Sequence, residues 1–98
     1  MKIMAFKGFG NIETFSVSKD GELFDLSAAG FTSARVYADR QYVEATVSGS
    51  ELGVVLGDLQ VGVGCYNGKV VVYSDLYPDG LVIMGQGLPE ALDITVKE

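Results

Sequence analysis

The stretch from Leu59 to Tyr73 constrains the fold more than any other part of the chain. It opens on a glycine-rich turn around Gly62 and Gly64 and passes into a long two-residue alternation, with Tyr66, Gly68, Val70 and Val72 on one face. That period belongs to a strand, not to a helix. In β-sandwiches a tyrosine at the start of a late strand hydrogen-bonds back to the preceding corner, and Tyr66 is placed to take that structural role. Asn67-Gly68 in isolation is a strong signal for a two-residue hairpin. A turn there would cut the alternation and leave flanks too short to pair, so the strand is predicted to run through it.

The remaining chain repeats the same habit in shorter pieces. Segments with period-two patterning, Lys2 to Lys7, Ile12 to Ser18, Leu23 to Leu26, Thr32 to Ala38, Tyr42 to Val47 and Leu52 to Leu56, alternate with turn chemistry. The punctuation comes from Gly8-Phe9-Gly10-Asn11, Lys19-Asp20-Gly21-Glu22, Asp39-Arg40 and Ser48-Gly49-Ser50-Glu51. Ser27 to Gly30 is predicted to make a turn or one helical turn, with Ser27 as cap and Gly30 as stop. Glycines at 53 and 57 weaken a strand unless something lies close to the backbone. After the loop Ser74 to Gly80, Leu81 to Gly85 and Ala91 to Lys97 complete the set, with Leu92, Ile94 and Val96 facing inward. The pattern predicts one all-β domain over residues 1–98, an antiparallel sandwich of about seven or eight strands.

At 98 residues, 48% of them hydrophobic, the chain supports a single real core. Its formal net charge of −6 opposes attraction to phosphate backbones. The carboxylates are scattered singly (Glu13, Asp25, Glu44, Asp58, Asp75, Asp93), a distribution that suits solubility better than imitation of DNA. A lone cysteine, Cys65, forms no intrachain disulfide and is expected to pack as a small apolar residue. No apolar run reaches the length of a membrane span, and Lys7 breaks the N-terminal apolar stretch.

Catalytic chemistry is sparse. Without histidine, serine or cysteine triads and imidazole-based zinc sites have no material, and no catalytic residue, cofactor or metal ligand is assigned. Gly8-Phe9-Gly10 and Gly85-Gln86-Gly87 lack the following Lys-Ser/Thr or long helix of a phosphate cradle and read as turns. Asp75 and Asp79 depart from the spacing of a helix-loop-helix calcium site. Tyr37, Tyr42 and Tyr77 sit where outward tyrosine suits a protein interface. The N-terminal strand is an apolar edge with little protection. Lys2, Ile3, Met4, Phe6, Phe9, Tyr77 and Asp79 are therefore the expected interface residues, and residues 1–10 an edge strand or arm for assembly.

From Asp20 to Val96 the order of elements resembles the immunoglobulin-like modules of tailed-bacteriophage virion proteins. The similarity is carried by Gly21-Glu22-Leu23-Phe24-Asp25-Leu26-Ser27-Ala28, by Thr32-Ser33-Ala34-Arg35-Val36-Tyr37, and by Leu56-Gly57-Asp58-Leu59 ahead of Gly64-Cys65-Tyr66. Val70-Val71-Val72-Tyr73, Tyr77-Pro78-Asp79-Gly80-Leu81-Val82 and Leu92-Asp93-Ile94-Thr95-Val96 continue it. The resemblance implies an immunoglobulin-like sandwich that is not an enzyme. It implies a capsid decoration, tail or baseplate accessory, made in the host cytoplasm and resident in the virion. Its partner would be a larger virion protein, with self-association, and without nucleic acid or membrane. A small acidic inhibitor of a host defence enzyme and a carbohydrate-binding sandwich are the alternatives, the latter disfavoured by the absence of tryptophan.

Overall fold

The computed structural model describes residues 1–98. Ten strands follow one another with no α-helix: β1 (Lys2–Phe6), β2 (Ile12–Ser16), β3 (Ser18–Lys19), β4 (Glu22–Leu23), β5 (Ser33–Ala38), β6 (Gln41–Ser48), β7 (Glu51–Val55), β8 (Gly64–Tyr73), β9 (Leu81–Met84) and β10 (Leu92–Lys97). A single 3-10 turn, Leu56–Asp58, separates β7 from the crossing to β8. The all-β expectation holds.

Eight strands form one curled sheet in the order β1-β10-β8-β5-β6-β7-β2, with β9 also on β8, while β3 and β4 make a separate hairpin. The expectation of a purely antiparallel arrangement is corrected at one place. β1 runs parallel to β10, from Lys2 opposite Asp93 to Phe6 opposite Lys97. Parallel neighbours need a long connection, and here nearly the whole chain supplies it.

The curl is made at β6. Gln41 to Ala45 pair with β5, whereas Ala45 to Ser48 pair with β7, so one continuous strand changes partner at Ala45. The concave side encloses Leu26, Val36, Leu52, Val70, Val72, Leu92 and Ile94, all essentially without solvent exposure, and no polar side chain is buried with them. An apolar interior of this kind avoids the cost of orphaned polar groups.

β9 and β10 lie on the same edge of β8. Leu81 to Met84 run antiparallel to Val72 to Val70, and Leu92 to Val96 continue antiparallel to Gly68 to Gly64. They are two halves of one interrupted strand, and the excursion between them is pinched by the Gly85 N–H donating to the Glu90 carbonyl at 3.0 Å. β8 passes unbroken through Asn67-Gly68, as the alternation requires. A Cβ at position 68 would sit 2.7 Å from Leu92 Cγ, so close packing, not a turn, accounts for this glycine.

Several boundaries differ from the sequence reading. The segment predicted from Ile12 to Ser18 stops at Ser16, where Val17 turns into the core and the chain enters the β3–β4 hairpin. Asp20 and Gly21, both at positive φ, form that hairpin's tip. The strand expected at Leu23 to Leu26 shrinks to Glu22–Leu23, because the Leu26 N–H is drawn to the Gly49 carbonyl. In the following turn Asp25, not Ser27, acts as the cap: its Oδ1 accepts the Ala28 N–H at 2.9 Å, while Ser27 Oγ accepts from Gly49 N–H at 3.0 Å. Leu56 belongs to the 3-10 turn and not to a strand.

Candidate docking surfaces

Main-chain direction on β1 and β2 defines the two open edges of the sheet. A strand residue sends its N–H and C=O to the same side, and successive residues alternate sides. On β1, Lys7 N–H donates to Lys97 and Met1 C=O accepts from Asp93, so the odd-numbered residues face β10 and Lys2, Met4 and Phe6 face outward. On β2, Asn11 C=O accepts from Leu56 and Val17 N–H donates to Ser50. Ile12, Thr14 and Ser16 therefore turn their main-chain groups away from β7.

The β1 edge is partly closed. Asn11 Oδ1 accepts the Phe6 N–H at 3.0 Å, and Asn11 Nδ2 donates to the Phe6 and Phe9 carbonyls at 2.7 and 2.8 Å. One amide side chain thus replaces the strand neighbour that Phe6 lacks. The expectation of little protection on this edge is corrected accordingly. The loop carrying Phe9 is pressed onto the 3-10 turn, with Gly57 N–H donating to Gly10 C=O at 2.8 Å. A Cβ at Gly57 would overlap the Phe9 carbonyl oxygen, which is the close approach that glycine allows there.

The expected interface residues fall into separate groups. Met4, Phe6 and Phe9 are solvent-facing apolar side chains on β1 and its loop, and Lys2 is exposed beside them. Ile3 is not on the surface: with Ala5 it points into the core, so its place among the contact residues is corrected to a packing position. Tyr77 and Asp79 are exposed in the β8–β9 loop, where the Tyr77 ring stacks on Phe31 at 6.0 Å. β1 and its loop flank the Gly64 end of β8 and Tyr77 lies beyond its Tyr73 end. The strand between them is roughly 30 Å long, so the fold does not unite the two groups.

Tyr66 makes the hydrogen bond expected of it, donating its hydroxyl to the Gly62 carbonyl at 2.7 Å. Cys65 does not pack as a small apolar residue. It is exposed, with the Thr95 hydroxyl donating to its sulfur at 3.7 Å, because alternation puts the neighbour of an inward Tyr66 on the outer face. Asp75 and Asp79 lie in the same loop, yet no group of three or more histidine, cysteine or acidic residues converges anywhere in the fold.

The convex face of β5, β6 and β8 carries a network whose members were identified only singly in the sequence. Tyr37 and Tyr42 are cross-strand partners with rings 5.2 Å apart. The Arg35 guanidinium lies over Tyr42 at 4.4 Å and Tyr73 at 5.2 Å, and its Nε donates to Glu44 at 3.1 Å. Lys69 stands 4.9 Å from the Tyr37 ring. The Tyr37 phenol is held below its ordinary value by hydrogen bonding with Tyr73 and Arg35 and by the nearby cationic charges. Tyr73 is pushed above its own, mainly by burial and then by Tyr37. Arg35 is raised chiefly through its hydrogen bond with Tyr37 and stays charged. Cations capped by rings in this way already have partners, and the contacts clasp β5, β6 and β8 together across the face.

A cleft of about 580 Å³ opens between the β3–β4 hairpin and β9, lined by Phe24, Phe31, Ile83, Leu88 and Pro89 with Lys19 and Glu90 among the polar residues. Sequence reading missed it because its walls come from separate turns that no local pattern connects. Compared with known proteins, the chain matches no protein-family model, no curated protein and no solved structure.

Proposed function

We propose that this chain is a non-enzymatic structural accessory of a tailed-bacteriophage virion, an immunoglobulin-like sandwich that docks on a larger capsid, tail or baseplate protein. The sandwich reading is supported by strand order. Taking β5, β8 and β9/β10 as strands C, F and G gives the C-F-G sheet, and β2-β7-β6 gives B-E-D, the two being linked through β6. Tyr66 opens the strand equivalent to F and bonds back to Gly62, as the tyrosine of that corner does.

The observation that carries docking is the rim of exposed apolar side chains, Met4, Phe6 and Phe9, beside open main-chain groups on β1. Strand addition with anchoring side chains is an established way to join proteins. Deleting β1 would also remove Ile3 and Ala5 from the core, so the informative variant changes only outward residues: Met4→Lys, Phe6→Lys and Phe9→Ser together. Mass spectrometry of purified virions of the encoding phage should find the protein, and co-sedimentation of added protein with those virions should fail for the triple variant. Absence of the protein from the particles would overturn the virion reading. Undiminished co-sedimentation of the variant would overturn the role of β1.

A further inference from the structure

We propose that the free edge of β2 pairs with the same edge of a second copy of this chain, antiparallel and centred on Thr14, giving a two-fold symmetric dimer. This goes beyond the docking proposed above and uses the other edge of the sheet.

Ile12, Thr14 and Ser16 direct their N–H and C=O groups away from β7, and no side chain caps them as Asn11 caps Phe6. Their side chains are exposed and uncharged, with Ile12 77% exposed. Edge strands are commonly blunted with lysine or proline, and neither occurs between Ile12 and Ser16. The one charge on the strand, Glu13, lies half-buried on the opposite face.

A second copy fits this edge because its pattern is symmetric about Thr14. In that register Ile12 meets Ser16 of the other copy, Thr14 meets Thr14, and Glu13 meets Phe15. Every outward main-chain group finds a partner, and a threonine pair forms at the axis. Shifting the centre to Glu13 would place two carboxylates directly opposite and leave Ser16 unpaired. Shifting it to Phe15 would leave Ile12 unpaired. The chain carries a formal net charge of −6, which opposes indiscriminate self-association, but no carboxylate projects from the outer face of β2. Such isologous contacts close on themselves and stop at two copies. The pairing segment is short, so the dimer is a weak, concentration-dependent one.

Sedimentation equilibrium from micromolar to millimolar protein reads it directly. The full chain should move from monomer to dimer mass. Thr14→Pro removes an outward N–H and no bond to β7, and Thr14→Lys sets like charges together at the axis. Both should stay monomeric with an unchanged far-ultraviolet circular dichroism spectrum. Register is tested by crosslinking. Cys65 is the chain's sole cysteine, so in a Cys65→Ser background Thr14→Cys should oxidise to a covalent dimer, because hydrogen-bonded opposites sit about 5.5 Å apart at Cα. Ser16→Cys, which would face Ile12, should not. A wild-type chain that remains monomeric at millimolar concentration overturns the proposal, as does a dimer that survives both Thr14 changes. A dimer abolished instead by Met4→Lys would overturn it in favour of β1, whereas loss of virion docking with the dimer intact would strike only the function proposed above.

Discussion

The two edge strands leave the same loop and meet opposite fates. β1 alternates exposed and buried side chains, with Ile3 and Ala5 in the core, and its edge is capped at Phe6 by Asn11. β2 has no fully buried side chain, only Glu13 and Phe15 at intermediate depth, and its edge is uncapped. An edge held by the core is here closed at one residue by a single neighbouring side chain. An edge held mainly by its ladder to β7 keeps its pairing capacity. The difference is one of extent: β1 contributes to the core and keeps only the outward main-chain groups of Lys2 and Met4 open, whereas β2 is open at Ile12, Thr14 and Ser16.

The largest effect that tests this contrast is on stability. Ile3→Ala should cost about 2–5 kcal/mol, the range for large-to-small changes in a core, whereas Phe15→Ala, half-exposed, should cost about 1–1.5 kcal/mol by lost burial. Urea unfolding of the two variants measures both, and equal losses would break the asymmetry. Next comes the cap. Asn11→Ala should lower stability by about 1–2 kcal/mol, since it removes hydrogen bonds to Phe6 and Phe9. It should also speed amide exchange at Phe6 while leaving Ile12, Thr14 and Ser16 unchanged.

The smallest effect is a control placed between the edges, on the convex face. Tyr73→Phe should raise the ionisation of Tyr37 toward the ordinary phenol value, read by phenolate absorbance during alkaline titration, with both edges unaffected. The signs follow from the two shifts. The lowered Tyr37 value favours the folded state increasingly as pH rises from that value to the ordinary one of 10.0. The raised Tyr73 value loses stabilisation as pH climbs from 10.0 toward its own.

Much of this architecture was legible because alternation reports a face directly. The inward placement of Val36, Val70, Val72, Leu92 and Ile94, and the outward placement of Arg35, Tyr37, Tyr42 and Glu44, follow from period two alone. The Tyr66 hydrogen bond was readable because its acceptor lies only a few residues upstream. What alternation cannot report is which strand lies next to which. The parallel pairing of β1 with β10, the change of partner at Ala45 and the open edge of β2 all depend on contacts distant in sequence. Asn11 was hidden for a related reason: an asparagine after Gly10 has the composition of any turn, and only the placement of Phe6 opposite its amide reveals a cap.

The excursion from Gly85 to Ala91 has a practical consequence. Because β9 and β10 occupy one side of β8 independently of the residues joining them, and Gly85 and Glu90 already hold the neck closed, a foreign peptide spliced between Gln86 and Pro89 would begin and end at neighbouring points. The domain would then display a tethered epitope, with both halves of the closing strand still zipped to their common neighbour.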